Sequence, residues 1–317
     1  MTDTRHGHEH EDDHDHGGGH GHGHSHAPPS NNAAFAIGVT LNMGFVVAEV
    51  VYGLAANSLA LLSDAGHNLS DVFGLLIAWG AIRLGKSLPT KRRTYGLRRS
   101  SILAALTNAI VLLVVVGGIT WEAAGRFRHP EPVAGTTVIW VAGLGVVINT
   151  ASALLFMAGR KRDLNIKGAF LHMAGDAAVS LGVVLIGFAI RATGWQWLDP
   201  AVSILIGTVI VWGTWGLLRE SVNLALDAVP EGIDPQAVEV FLAGLPGVQT
   251  VHDLHIWGMS TTEAALTAHL VMPQPPESDT FLHGVNHELH KRFEIGHVTI
   301  QIERGDAGCH QAPAEVV

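Results

Sequence analysis

The sequence has a single cysteine and few charged residues for its length. Cys309 stands alone among 317 residues, which excludes an internal disulfide framework and gives no sign of an oxidising compartment. Asp, Glu, Lys and Arg make up only 15% of the chain, hydrophobic residues make up 48%, and the mean hydropathy is +0.29. A chain of this length is too apolar for a soluble enzyme, so the composition indicates a membrane protein.

Three further observations on the sequence argue against other classes of protein. The N-terminus is polar and rich in His and acidic residues, so we expect no signal peptide. The formal charge of −9 gives no reason to expect a nucleic-acid partner. No His-Glu-x-x-His motif occurs within the long apolar stretches and no separate general base is evident there, which disfavours a membrane-embedded zinc hydrolase.

Six apolar stretches are each long enough to cross a bilayer and predict an all-α membrane domain. Lys and Arg concentrate between the second and third stretches and between the fourth and fifth, so these two loops should face the cytoplasm. An even number of spans then places both termini in the cytoplasm as well. The stretches cover residues 33–54, 59–84, 100–124, 133–158, 167–192 and 200–218.

Two of the stretches carry a His-x-x-x-Asp pair: His67 with Asp71, and His172 with Asp176. Residues four apart lie on one helix face. An ionisable side chain at that depth costs about 2.5–3.5 kcal/mol on insertion scales, so it needs a partner. One histidine in an apolar helix is more often a packing residue, but two pairs in two spans offer two nitrogen and two oxygen ligands to one tetrahedral zinc ion. The pattern therefore predicts a membrane metal transporter.

Other polar residues share the first two stretches. Asn42 and Glu49 are seven apart and lie on one face, and Glu49 either lines an outward water-filled vestibule or lies at the membrane interface. Asp64 is either a partner for a neighbouring helix or a carboxylate that orients the His67 imidazole, and we favour the second role.

Residues 1–32 form a low-complexity segment that cannot bury a core and that we expect to be a disordered cytosolic tail. Dense imidazoles collect divalent metals, so the tail is predicted to be a local metal scavenger rather than a purification tag. The histidines of the tail are His6, His8, His10, His14, His16, His20, His22, His24 and His26.

After Asp227 the composition becomes that of a small cytosolic domain. Helical patterns cover residues 235–245 and 278–293, and strand patterns cover 248–259, 263–272 and 297–303. This αββαβ order predicts a two-layer α+β domain. The chain therefore divides into a tail at 1–32, a transmembrane domain at 33–226, a cytosolic domain at 227–306 and a second tail at 307–317.

The sequence resembles the cation diffusion facilitators, the family of zinc transporters and zinc–cobalt–cadmium efflux proteins. The resemblance covers nearly all of residues 33–304 and is carried by SLALLSDAGHNLSD, YGLRRSSILAALTN, GAFLHMAGDAAVSLGVV, VHDLHIW and HVTIQIE. It implies a homodimer, a ferredoxin-like cytosolic domain, and metal/proton antiport from the cytoplasm outward.

By position, the resemblance implies that the transport site consists of the two His-x-x-x-Asp pairs. Regulatory metal in the cytosolic domain would be held by His252, His269, His283 and Glu303. This sequence differs from the family pattern in two places that affect the expected metal sites. The loop GKSLPTKRRTYGL has neither Asp nor His, so we expect no metal there, and Gln301 stands where some members have a histidine.

The function predicted from the sequence is efflux of Zn²⁺ across a bacterial inner membrane, in exchange for protons. Two imidazoles favour zinc, although a broader exporter of Zn²⁺, Co²⁺, Cd²⁺ or Ni²⁺ is an alternative. A metal channel without proton coupling is a second alternative. A metal sensor is disfavoured, because a membrane anchor needs no intramembrane ligands.

Overall fold

The computed structural model describes residues 32–85, 88–157 and 164–305. The His-rich tail, Cys309 and much of the fourth-to-fifth loop lie outside these ranges. Six helices come first and a small α+β domain follows. The helices are α1 (Asn32–Ala55), α2 (Leu59–Gly85), α3 (Ser100–Arg126), α4 (Gly135–Met157), α5 (Leu164–Thr193) and α6 (Leu198–Ala225).

Each apolar stretch coincides with one of these helices, and the largest difference is at the end of α6. That helix continues seven residues beyond the predicted 218, because no glycine or proline interrupts the polar turns that follow. Among the described residues, four segments are long and apolar enough to cross a membrane, and Thr40–Ala55 is a shorter apolar helix. The four are Ser100–Arg126, Gly135–Leu154, Phe170–Thr193 and Leu198–Ala225.

The helices pack as a bundle in which α4 lies along α5, α3 lies along α6, and α2 contacts α1, α3, α5 and α6. The α4–α5 approach is close because small residues face each other: a Cβ on Gly135 would lie 2.9 Å from the Gly187 carbonyl oxygen. The buried apolar core of the bundle includes Leu61, Leu112, Val116, Val138, Val183, Ile206 and Ile210.

The outside of the bundle is apolar. Trp121, Trp140 and Trp212 are 83%, 76% and 85% exposed, respectively, and many leucines and valines around them are exposed too. So large an apolar surface is unfavourable in water and favourable against lipid.

The turn between α1 and α2 is held by two residues from elsewhere in the bundle. Asn57 adopts a left-handed conformation with φ of 54°. The guanidinium of Arg126 donates to the Asn57 carbonyl oxygen and to its Oδ1, both at 2.7 Å. Asp199 of α6 accepts hydrogen bonds from Ser58 Oγ at 2.5 Å and from the Leu59 amide at 2.7 Å. The first turn of α2 is therefore capped by a carboxylate from another helix.

The C-terminal domain consists of α7 (Pro235–Ala243), β1 (Thr250–Gly258), β2 (Ala264–Val271), α8 (Thr280–Phe293) and β3 (Ile295–Glu303). Strand β2 is central, antiparallel to β1 and parallel to β3. Both helices pack on the sheet, and the apolar core between them includes Leu242, Leu266, Leu270, Leu289 and Ile295. The predicted order of elements is confirmed.

Helix boundaries in this domain follow local hydrogen bonds. Asp234 Oδ1 accepts from the Gln236 amide at 3.0 Å and starts α7. That helix ends at Ala243, two residues before the predicted 245, and Gly244 is its C-cap. Ser278 Oγ accepts from the Thr280 amide at 3.2 Å, whereas the side chain of Asp279 makes no capping bond, so α8 starts at Thr280.

The segment before α3 contacts the C-terminal domain. Arg98 Nη1 lies 3.1 Å from Glu263 Oε2, and Arg99 pairs with Asp227. The Thr261 amide donates to Ser101 Oγ at 3.2 Å. The basic loop and the small domain therefore lie at the same end of the bundle.

Candidate metal sites

The four residues of the two His-x-x-x-Asp pairs meet between α2 and α5. His67 Nε2 lies 3.1 Å from Asp176 Oδ1 and 3.9 Å from Asp71 Oδ2. His172 Nε2 lies 3.2 Å from Asp71 Oδ2 and 3.7 Å from Asp176 Oδ2. Each imidazole thus approaches the carboxylate of its own helix and that of the other helix, and the two rings are 5.9 Å apart between centroids.

These distances suit one tetrahedral ion. Zinc bonds to nitrogen and oxygen are about 2.0–2.2 Å long, which puts the ligand atoms of a regular tetrahedron about 3.3–3.6 Å apart. The four nitrogen–oxygen separations, from 3.1 to 3.9 Å, bracket that value. His67, Asp71 and Asp176 each have a ligand atom within 4.8 Å of the others, and His172 adds the second nitrogen.

The environment of the site favours a divalent cation as its occupant. The side chain of Asp176 is 5% exposed, and those of His67, Asp71 and His172 are 21–30% exposed. Two carboxylates and two neutral imidazoles carry a charge of −2, which one divalent ion balances. Charge balance matters here because an uncompensated charge in an apolar interior is costly.

A second polar cluster lies next to this site, toward the turn between α1 and α2. Glu49 of α1 is fully buried, so it is neither at a vestibule nor at the membrane interface. Asn68 Nδ2 donates to Glu49 Oε2 at 2.9 Å. Asp64, also fully buried, accepts from Ser180 Oγ of α5 at 3.1 Å. Its hydrogen bond thus joins it to a neighbouring helix, which is the alternative that sequence reasoning ranked second.

Sequence reasoning missed Asn68 and Ser180. Each lies one helical turn from a predicted residue, Asn68 after Asp64 and Ser180 after Asp176. The four-residue spacing in the sequence could therefore have identified both residues as neighbours of the predicted ones.

Three of the four residues proposed for cytosolic regulation also converge. His252 Nε2 lies 3.2 Å from Glu303 Oε2, and His269 Nδ1 lies 3.1 Å from Glu303 Oε1. The three side chains have ligand atoms within 4.8 Å of one another. The strand register explains this convergence. His252 on β1 pairs directly with His269 on β2, and Glu303 on β3 lies two residues after Gln301, which is the residue paired with His269.

The fourth proposed residue, His283, lies on the exposed face of α8 and is not part of that cluster. Gln301 is exposed, and its amide donates to Glu303 Oε1 at 2.9 Å. Asp253 was not predicted. It lies at an irregularity of β1 with φ of 51°, and its carboxylate contacts His269 Nε2 at 3.3 Å and His255 Nε2 at 2.9 Å. No local sequence pattern reveals such a bulge.

Two family models match the chain. The cation efflux transmembrane domain matches residues 35–224, and the cytoplasmic domain of cation efflux proteins matches residues 230–305. Together they divide the chain close to the end of α6.

Several curated proteins are similar over most of their length. The metal cation efflux system protein CzcD of Cupriavidus metallidurans is 41% identical over 90% of this chain and 90% of its own. The zinc transporter ZitB of Escherichia coli is 38% identical over 87% and 89%. The cadmium, cobalt and zinc/H(+)-K(+) antiporter of Bacillus subtilis is 35% identical over 86% and 89%.

Three observations agree with one another. They are the helical bundle with its apolar exterior and its two His-x-x-x-Asp helices, the α+β domain that follows it in the chain, and the family and sequence matches along the chain. The chain belongs to the cation efflux family, the cation diffusion facilitators, and is an integral membrane transporter of metal cations.

Proposed function

We propose that this protein exports Zn²⁺ from the cytoplasm in exchange for protons, through a His₂Asp₂ site formed by His67, Asp71, His172 and Asp176. The observation that carries the proposal is the convergence of both pairs at separations that suit a tetrahedral ion. Donors of this kind, without thiolate, favour zinc over Cu(I).

Proton exchange follows from the chemistry of the ligands. An imidazole binds metal only through an unprotonated nitrogen and a carboxylate only when ionised, so protons and zinc compete for the same atoms. Free imidazole titrates near pH 6.5, within the physiological range. A site open to the cytoplasm loses protons and takes zinc; a site open to the outside takes protons and releases zinc. Alternating access around a midplane site completes the cycle.

The relatives support the same activity. The Bacillus subtilis relative is named as an antiporter of cadmium, cobalt and zinc with H(+) and K(+), and the Escherichia coli relative is named as a zinc transporter. Export of Co²⁺, Cd²⁺ or Ni²⁺ through the same four ligands is the alternative within the class.

The proposed architecture extends the family assignment. It comprises six membrane spans, with both termini on the cytoplasmic side of a bacterial inner membrane, and a homodimer. The domain division at 33–226 and 227–306 and a ferredoxin-like cytosolic fold complete it. The contact of the basic loop with the C-terminal domain supports placing both on the cytoplasmic side.

A regulatory zinc site in the cytosolic domain is a second proposal. His252, His269 and Glu303 supply two nitrogens and one carboxylate within 4.8 Å of one another. Three such ligands form an open zinc site, which a fourth group completes. Because His283 lies outside this cluster, we propose that it would contribute a ligand only from the partner protomer of a homodimer.

The test is zinc uptake into proteoliposomes that contain a pH dye, under an imposed proton gradient. Wild type should move zinc against a counter-flow of protons, and both fluxes should vanish in Asp71→Ala. His287→Ala removes an exposed imidazole of α8 and should match wild type.

Other results would select other functions. Zinc flux without proton movement would identify a channel or uniporter. Undiminished flux in Asp71→Ala would reject the assigned site, and the absence of flux in wild type would favour a sensor.

A further inference from the structure

Two acidic side chains that the proposed metal site does not use face each other in the bundle interior. Glu49 lies on α1 and Asp64 on α2, and both are fully buried. Asn68, one helical turn after Asp64 on α2, donates to Glu49, so the two carboxyl groups lie beside the same turn of α2 and interact with each other. Asp64 lies one helical turn before His67, and Ser180, which contacts Asp64, lies one turn after Asp176, so the pair adjoins the metal site on the side of the α1–α2 turn.

Each carboxyl group has a donor for only one of its two oxygens. Asn68 donates to Glu49 Oε2, and Ser180 donates to Asp64 Oδ2. Among the described residues no donor reaches Glu49 Oε1 or Asp64 Oδ1. Two ionised carboxylates in such contact would repel each other without compensation. One proton held between them removes one charge and gives both remaining oxygens a hydrogen bond, as in other paired carboxyl groups.

The other charged groups near the pair are those of the metal site. His67 faces the pair from its own helix α2, and Asp176 faces it from α5. Helix α4 contains no charged residue, and the charged residues of α3, Glu122 and Arg126, lie at its C-terminal end, where Arg126 contacts Asn57 and pairs with Glu122 and Glu131. Asp199 of α6 is engaged by the first turn of α2.

We propose that Glu49 and Asp64 share one proton and form a proton-binding site beside the metal site. The proposal rests on the function proposed above, because the proton held by this pair is one of those exchanged for zinc. A divalent ion one turn away favours the doubly ionised pair, so zinc binding expels the shared proton, and release of zinc allows the proton to return. Asn68 is next to His67 on α2 and donates to Glu49, so a shift of this segment would affect both sites.

Infrared difference spectroscopy of the purified full-length protein tests the pair directly. Metal-free wild type at neutral pH should show the carbonyl-stretch band of a protonated carboxyl group, and this band should disappear when zinc is added. Glu49→Gln and Asp64→Asn keep the shape of each side chain and should each abolish the band. Glu239→Gln, on the exposed face of α7, is the matched control and should leave the band unchanged. Size-exclusion chromatography checks the folding of each variant, and two variants give two independent tests.

Two further readouts separate this proposal from the transport proposal. In proteoliposomes, Glu49→Gln should still carry zinc, with about one proton fewer exchanged per ion. A band that persists in both variants would overturn the shared proton. A lower zinc-binding stoichiometry in Glu49→Gln would also overturn it, because the pair would then bind metal. An intact band together with no zinc-driven proton flux in wild type would instead overturn the antiport mechanism.

Discussion

Asp176→Asn removes one negative charge from the candidate metal site with almost no change of shape. Asp176 is the most buried of the four proposed ligands, with a side chain 5% exposed, and its carboxylate approaches both imidazoles at 3.1 and 3.7 Å. Asparagine retains one neutral oxygen, which is a weaker zinc ligand than a carboxylate. The variant therefore tests whether this particular oxygen pair holds the ion.

The expected loss of affinity can be estimated from the number of ligands. Four-ligand zinc sites bind with about 10–16 kcal/mol of apparent free energy, so one ligand accounts for about 3 kcal/mol. At about 1.4 kcal/mol per factor of ten, zinc binding should weaken about 100-fold. Asp71→Asn should cost less, because Asp71 is 30% exposed and solvent screens the lost charge.

Isothermal titration of detergent-solubilised protein measures these constants. His252→Ala in the background removes the competing cytosolic cluster. Asp279→Asn is the matched control, because its exposed side chain makes no capping bond. An unchanged zinc Kd in Asp176→Asn, or a smaller loss there than in Asp71→Asn, would refute the reasoning.

Three other predictions concern pH, the α2 cap and helix packing. Zinc affinity should fall as pH is lowered, by up to about 100-fold per pH unit in the range where both imidazoles must lose a proton to bind the ion. Zinc titrations at a series of pH values from 8 downward test this, and an affinity that does not change with pH would contradict it. Asp199→Ala removes hydrogen bonds to Ser58 Oγ and to the Leu59 amide and should destabilise the bundle by about 2–3 kcal/mol, seen as a lower Tm in detergent. Gly145→Ala would place a Cβ 2.8 Å from Phe45 Cζ and 3.0 Å from Ser180 Oγ, so about 1–3 kcal/mol should be lost; Gly143→Ala, with open space around it, is the control and should have little effect.

The sequence was sufficient to predict the helices and the pairing of His and Asp on one face of α2 and of α5, because both depend on local periodicity. Apolar runs predicted the six helices within about three residues, except at the end of α6, which is seven residues longer, and the four-residue spacing placed His67 with Asp71 on one face. A buried polar pair needs a partner, and that requirement predicted that His172 and Asp176 would meet them. The alternation of Val298, Ile300 and Ile302 with polar neighbours predicted the last strand, β3, in the same way.

The features that the sequence did not predict depend on contacts between distant segments of the chain. Asp199 caps a helix that begins about 140 residues earlier, and nothing near Asp199 in the sequence indicates its partner. Asp64 bonds to Ser180, and Glu49 bonds to Asn68, only because α1, α2 and α5 pack in one particular rotation. Asp253 reaches His269 through a backbone irregularity. Such arrangements arise from tertiary packing, which periodicity does not encode.

The most direct test of the central claim is the position of zinc in the full-length protein. Anomalous diffraction at the zinc absorption edge from zinc-soaked crystals should give a peak between α2 and α5. We predict that the peak lies within bonding distance of His67 Nε2, His172 Nε2 and the carboxylates of Asp71 and Asp176, and that it is absent in His172→Ala. Zinc bound only in the cytosolic domain, or a peak between α2 and α5 that persists in His172→Ala, would contradict the account.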